Sequence, residues 1–216
     1  MPFINRRDAG QQLAYKLDKY RAEHPVVLGL ARGGVPVAAE IAASLGAPLD
    51  VLVVRKVGAP FQPELALGAV AGGTVWLNDQ LIDLLGIPRA TVERIVMLES
   101  IEVGRREALY RLGRPRIPVE GRTVIVVDDG LATGATAYAA LRALRQRLPK
   151  QIIFAAPVCS AEGAAELKRE ADEVICHWQP AGFRAVSQAY GSFDQVSDQE
   201  VRESLELAAA LTAGKE

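Results

Sequence analysis

The chain has 216 residues, with Lys+Arg 25 against Asp+Glu 26 and a formal net charge of -1. That length suits one α/β domain with an appended subdomain and is enough to bury a sizeable core. The balanced charge gives no general drive toward nucleic acid or an anionic membrane, so any anion site must be local. The opening MPFINRRDAGQQLAYKL has no apolar core of signal-peptide length, and no apolar run reaches membrane-spanning length, so a cytoplasmic location is expected. Residues 8–20 predict an amphipathic helix with Ala9, Leu13, Leu17 and Tyr20 on one face, and His24 after it reads as solvent-facing. Residues 26–31 predict an apolar strand ending in Ala31-Arg32-Gly33-Gly34-Val35-Pro36, and a helical pattern restarts over 36–45. Paired glycines beside one arginine suit an oxyanion held by backbone N–H groups and a guanidinium, or a plain tight turn.

Residues 49–54 predict the next strand, which delivers Arg55 and Lys56 to its end ahead of Val57-Gly58-Ala59-Pro60. Basic residues there either meet an anion or form a solvated pair at a strand edge. Residues 67–71 and 74–78 flank Gly72-Gly73, the pattern of a tight antiparallel hairpin. A short helix over 79–85 is broken by Ile87-Pro88, and 91–112 carries a longer helical pattern with Gly104 as its weak point. Glu64, Arg105, Arg106 and Arg111 are candidate phosphate or neighbour-subunit contacts. Arg105-Arg106-Glu107 equally suits a solvated helix face.

The stretch TVIVVDDGLATGAT, residues 123–136, joins four apolar β-branched residues, after Thr123, to two adjacent carboxylates and a run of small and hydroxyl residues. Val124, Ile125, Val126 and Val127 form the continuously apolar run of a strand buried on both faces of a parallel sheet. Asp128 and Asp129 stand at its carboxyl end, and 130–136 supplies a loop in which Thr133, Gly134 and Thr136 form a phosphate cradle. Ala140, Leu141, Leu144 and Leu148 then recur at helical spacing, so the loop ends at a helix N-terminus that favours negative charge. Two carboxylates beside a phosphate loop repel an anion unless something neutral or cationic lies between them. Vicinal hydroxyls of a ribose with a divalent metal nearby meet that need, which implies a ribose 5-phosphate unit. The plainer reading is that Asp128 caps a turn and the glycines bend the chain.

Downstream, 152–158 predicts another apolar strand with Pro157 near its end, 161–171 a helix and 173–176 a last strand. Alternating units of this length imply an α/β fold with a doubly wound parallel sheet and ligands at the strands' carboxyl ends. Cys159 and Cys176 lack metal-ligand spacing and read as buried reduced thiols. Residues 177–196 concentrate Trp178, Phe183, Tyr190 and Phe193 and read as a lid or hood, with Trp178 or Phe183 available to stack on a planar base; a small hydrophobic cluster is the alternative. Ser197 with Glu200 reads as a capping box opening a last helix. His24 and His177 are the only histidines and belong to no Ser/His/Asp or metal-ligand pattern, which makes hydrolase chemistry unattractive.

VIVVDDGLATGAT resembles the PRPP-binding signature of the type I phosphoribosyltransferases. It departs from a Walker A loop because no lysine follows Gly134, and from receiver domains because they lack the Thr-Gly-Ala-Thr cradle. LARGG and VRKVGAP resemble two loops of the adenine phosphoribosyltransferases, and PAGFRAVSQAYGSF resembles the hood of the hypoxanthine-type members, with Ser192 where that family carries an aspartate. The resemblance implies one domain over 1–216 of the type I phosphoribosyltransferase kind. It places a hairpin and helix insertion with a flexible loop at about 57–118, and a hood at about 177–200 with the N-terminal segment.

The resemblance also implies a role for each loop. Asp128 and Asp129 take the ribose hydroxyls and Mg²⁺, and Gly130, Leu131, Ala132, Thr133, Gly134, Ala135 and Thr136 hold the 5′-phosphate. Ala31, Arg32, Gly33 and Gly34, with Arg55 and Lys56, take pyrophosphate, and a non-proline cis peptide joins Ala31 to Arg32. The implied reaction moves the phosphoribosyl group of PRPP to a nitrogen nucleophile, a nucleobase, with release of pyrophosphate, in a homodimer. Asp129 or Asp194 could accept a proton. A non-catalytic PRPP or nucleotide-binding regulator on the same fold is the alternative. No nucleic-acid or membrane partner is expected.

Overall fold

The structure is a computed structural model and describes residues 2–213, apart from the side chains of Glu64, Thr212 and Ala213. The candidate contact Glu64 therefore lies outside the described residues. Helix α1 (Arg6–Leu17) is opened by Asn5, whose side chain accepts from the Asp8 amide, and a 3-10 turn follows it (Asp18–Glu23). Next come β1 (Val26–Leu30), α2 (Gly34–Leu45) and β2 (Leu49–Leu52). An antiparallel unit of β3 (Val54–Ala59), β4 (Gln62–Ala71) and β5 (Thr74–Leu77) precedes α3 (Asp79–Leu84) and α4 (Arg89–Arg111). The chain then returns through β6 (Thr123–Val127), α5 (Ala135–Arg145), β7 (Gln151–Val158), α6 (Ala161–Leu167) and β8 (Glu173–Trp178), and ends in α7 (Asp198–Ala213).

β2-β1-β6-β7-β8 make one five-stranded sheet, every neighbouring pair parallel, and β3-β4-β5 a separate three-stranded sheet. Alternation along β6 explains its apolar run: Val124 and Val126 pack with Leu141 and Leu144 of α5, whereas Ile125 and Val127 pack with Leu13, Val37 and Ile41 of α1 and α2. Helices cover both faces, as a parallel sheet requires. The expected C-terminal capping box is present, with Ser197 N donating to Glu200 Oε2 at 2.8 Å and Glu200 N to Ser197 Oγ at 3.1 Å.

The insertion differs from the expected strand and turn. The segment 49–54 is not one strand: the chain leaves the parallel sheet at Val53, and Arg55 and Lys56 lie inside β3, opposite Val70 and Ala69 of β4. Exposure alternates from Lys56 onward, with Lys56 exposed, Val57 and Ala59 buried and Gly58 half-buried between them, which suits a strand with one face covered and which a turn reading of these residues overlooks. The Gly72-Gly73 hairpin is as expected, with φ of 56° and 77° at its two glycines. α4 runs unbroken through Gly104. Arg111 is no surface contact: it is buried and ion-paired with Asp50 at 2.8 Å and Glu107 at 2.9 Å. Arg105 and Arg106 both hold Glu102, at 2.8 and 2.6 Å, on the helix surface. Cys159 is buried as expected, but Cys176 is only half-buried; both are free thiols. Among the described residues no helix is long and apolar enough to cross a membrane.

Candidate active site

β1 connects leftward to β2 and its other neighbour is β6, so the strand order reverses between β1 and β6. At such a reversal the loops leaving the two strands part and leave a crevice outside their carboxyl ends. Both glycine loops open there. The loop after β1 carries the cis peptide between Ala31 and Arg32 and runs into α2 at Gly34. It approaches the acidic pair as closely as glycine permits: a Cβ on Gly33 would stand 2.0 Å from Asp129 Oδ2, and one on Gly34 2.3 Å from Val127 O.

The loop after β6 is fixed from behind by the end of β7. Leu131 N donates to Val158 O at 2.8 Å, Ser160 N to Leu131 O at 2.7 Å, and Ser160 Oγ to Ala132 O at 2.6 Å. Gly134, with φ of 75°, turns the loop into α5, whose start has no side-chain cap. The first amides of a helix have no acceptor within it, so these N–H groups remain for a ligand. They border a 170 Å³ cavity lined by residues 130–137, Asp128 and Val186 of the hood.

Burial pushes the Asp128 carboxyl well above the usual carboxylate range, and the adjacent Asp129 charge pushes it further. Burial also raises Asp129, against the pull of Arg6. Arg6 Nε donates to Asp129 Oδ2 at 2.8 Å and Nη1 to the Asp194 carbonyl at 2.7 Å, while the guanidinium lies 3.9 Å from the Phe193 ring centroid. Tyr190 donates its hydroxyl to the Asp129 carbonyl at 2.5 Å. Arg6 and Tyr190 thus tie α1 and the hood to the acidic pair. Sequence reasoning missed both roles; Arg6 lies 123 positions from Asp129 and no local pattern marks it.

The structure brings Gly33, Gly34, Asp128, Asp129 and the 130–136 loop together. It places other candidates elsewhere. Arg32 reaches toward Asp198 at the start of α7, at 3.5 Å. Arg55 and Lys56 line a separate 430 Å³ cleft with Ile95 and Glu99, where Arg55 Nε is 2.7 Å from Glu99. Phe183 packs on the buried cluster of Phe3, Ala9, Val158, Ala189 and Tyr190, and Phe3–Tyr190 and Tyr190–Phe193 ring centroids lie 5.5 and 4.9 Å apart. Trp178, 37% exposed, stands at the end of β8 outside the loop cavity. The hood aromatics are therefore mainly a hydrophobic cluster. Among the described residues no group of three or more His, Cys, Asp or Glu side chains is set to hold a metal. Asp128 and Asp129 suit Mg²⁺ nonetheless, because that ion commonly takes one or two protein carboxylates and completes its shell with substrate phosphate and water.

This crevice belongs to the doubly wound α/β proteins whose switch point suits a phosphorylated ligand. More narrowly, the chain belongs to the phosphoribosyl transferase domain family, which it matches over residues 5–188. A Mycobacterium tuberculosis protein bearing a provisional phosphoribosyl transferase name is 47% identical over 207 residues, covering 95% of this chain and 47% of that protein. The chain thus spans about half the length of the curated relatives it matches. The crystal structure of TT1426 from Thermus thermophilus superposes with a TM-score of 0.87 at 43% identity, covering 95% of this chain and 98% of that one.

Proposed function

We propose that the domain transfers the 5-phosphoribosyl group of PRPP to a nitrogen nucleophile, a nucleobase, and releases pyrophosphate. The observation that carries this reading is the convergence of two helix N-termini and a half-buried acidic pair at the β1/β6 switch point. Amides of 133–136 hold the 5′-phosphate with the Thr133 and Thr136 hydroxyls, and Asp128 and Asp129 accept from the ribose hydroxyls. The amides of Gly33 and Gly34 face the pyrophosphate, with Arg32 swinging from Asp198 to join them. The C1–O bond breaks with its electron pair leaving on pyrophosphate, and the nitrogen lone pair forms the new C1–N bond with inversion. The proton lost by nitrogen goes to Asp129 or Asp194. Fixed dipoles, not a covalent intermediate, stabilise the oxocarbenium-like transition state. Bound at Asp128 and Asp129, Mg²⁺ would supply charge neutralisation for the polyphosphate.

The same reading takes residues 1–216 as one domain acting in the cytoplasm as a homodimer. Exposed Met97, Leu98 and Ile101 on α4 suit contact with a second copy, which sedimentation would test. For the reaction, the domain is mixed with Mg²⁺, PRPP and a panel of bases, and pyrophosphate is measured. Release with one base, lost in the Asp128→Asn, Asp129→Asn double variant, is the expected result. PRPP binding without release from any base would make the chain a sensor instead.

A further inference from the structure

At the amino end of β2, away from the switch-point loops, lies a 230 Å³ cavity between α7, the end of α4 and the segment after it. Leu49, Pro115, Ile117, Leu205 and Ala209 give it apolar walls. Asp50, ion-paired with Arg111, also lines it, and Arg111 and Arg114 reach it as well. These two arginines belong to a group of four guanidiniums, with Arg116 and Arg147, that among the described residues shares two carboxylates, Asp50 and Glu107. Both acids already carry cations or amides, although Glu107 Oε1 is itself buried without a partner among the described residues. Asp50 accepts from Arg111 Nε, the Val51 amide and the Ile117 amide, at 2.8, 2.8 and 3.1 Å. Glu107 Oε2 takes Arg111 and Arg116.

Arg114 and Arg147 make no ion pair among the described residues. Arg114 donates Nε to the Arg111 carbonyl at 3.0 Å and Nη1 to the Leu205 carbonyl at 2.8 Å, while its buried Nη2 has no partner. Arg116 Nε is buried without a partner too. Burial, then the nearby Arg116, pushes the Arg147 guanidinium below its ordinary value, against the pull of Asp50 and Glu107. Arg114 is half-buried with no ion pair among the described residues, and an anion entering from the cavity would supply its counter-charge.

We propose that this cavity binds a small amphipathic carboxylate, its charge met by Arg114 beside Arg111 and its hydrocarbon body lying against Leu49, Ile117 and Leu205. The volume is below that of pockets for drug-sized ligands, which start near ~300 Å³, so the body is about the size of a benzene ring or a six-carbon chain. Inorganic phosphate answers the charge but leaves the walls uncovered.

Benzoate and hexanoate, with benzyl alcohol, hexanol and inorganic phosphate as controls, are titrated into the full chain and followed by calorimetry and thermal shift. The acids bind at least ~10-fold more tightly than the alcohols or phosphate, a difference of about 1.4 kcal/mol. Arg114→Gln, which can still donate to a carbonyl, abolishes that preference, and Arg114→Lys restores part of it. Ala209→Leu narrows the cavity and blocks acid and alcohol alike. PRPP affinity, measured on the same variants, stays at the wild-type value and reports separately on the switch-point site. Equal binding of acid and alcohol, unchanged preference in Arg114→Gln, or no acid binding up to ~10 mM overturns the proposal.

Discussion

The two sheets use their charged residues in opposite ways. In and around the antiparallel sheet most charges pair with one another: Arg55 with Glu99, Arg105 and Arg106 with Glu102, Arg111 with Asp50 and Glu107, with Arg114 and Arg147 the exceptions. At the carboxyl ends of the parallel sheet, two half-buried acids share one arginine and the start of α5 has no side-chain cap. The first arrangement holds a shape; the second leaves hydrogen-bonding capacity for a ligand. Substitutions should therefore separate into those that change stability and those that change PRPP handling.

The largest effect is expected in the first group. Arg111→Ala strands Asp50 in the interior and leaves Glu107 with Arg116 alone, and should cost about 3–5 kcal/mol of stability in urea unfolding, with PRPP affinity of the folded fraction unchanged. A loss of PRPP affinity at constant stability would erase the distinction. Next comes the second group's own test: Asp128→Asn with Asp129→Asn should lower turnover by about 10²–10³-fold in a pyrophosphate-release assay, with little loss of stability. Gly33→Ala drives a methyl into Asp129 Oδ2 and should weaken PRPP binding by roughly tenfold in calorimetry, since the carboxylate must move.

A smaller effect concerns pH. Burial holds the Asp128 and Asp129 carboxyls above their unfolded values, so the folded chain binds their protons more tightly than the unfolded chain does. Their contribution to stability is present at low pH and is lost as pH rises from about 4 through the folded-state values. In metal-free buffer, Asp128→Asn should melt above wild type at neutral pH, by about 2–4 °C for each kcal/mol recovered, with the gap closing toward acid. A gap that does not change with pH would show that the pair is not strained by burial. The smallest expected effect is Arg105→Ala: its exposed pair with Glu102 should leave melting temperature and PRPP affinity where they were.

Arg6 lies on the boundary between the two groups, because it pairs with an acid of the site while bracing the hood through Phe193 and Asp194. Its role needed the assembled structure, as did that of Tyr190. The route of the chain at Val53 also needed it: a six-residue run that is apolar except for Asp50 is compatible with one strand, and only the packing of β3 against β4 and α4 shows that the run is divided between two sheets. The hood aromatics are a third case. Composition offered a stacking surface, but Phe183, Tyr190 and Phe193 meet Phe3 from the other end of the chain.

By itself the sequence determined the devices that are written in consecutive residues: the apolar strands, the glycine loop after β1, the 128–136 stretch with its helix start, the Gly-Gly hairpin and the Ser197/Glu200 box. Period, turn chemistry and capping act over a few residues, so they are legible before any contact forms. Tertiary structure decided which charges are paired and which stay open. Arg6 with Asp129 and Arg111 with Asp50 span 123 and 61 positions, and burial sets the protonation of the acidic pair. Pairing and desolvation depend on what distant segments bring alongside, which no local pattern records.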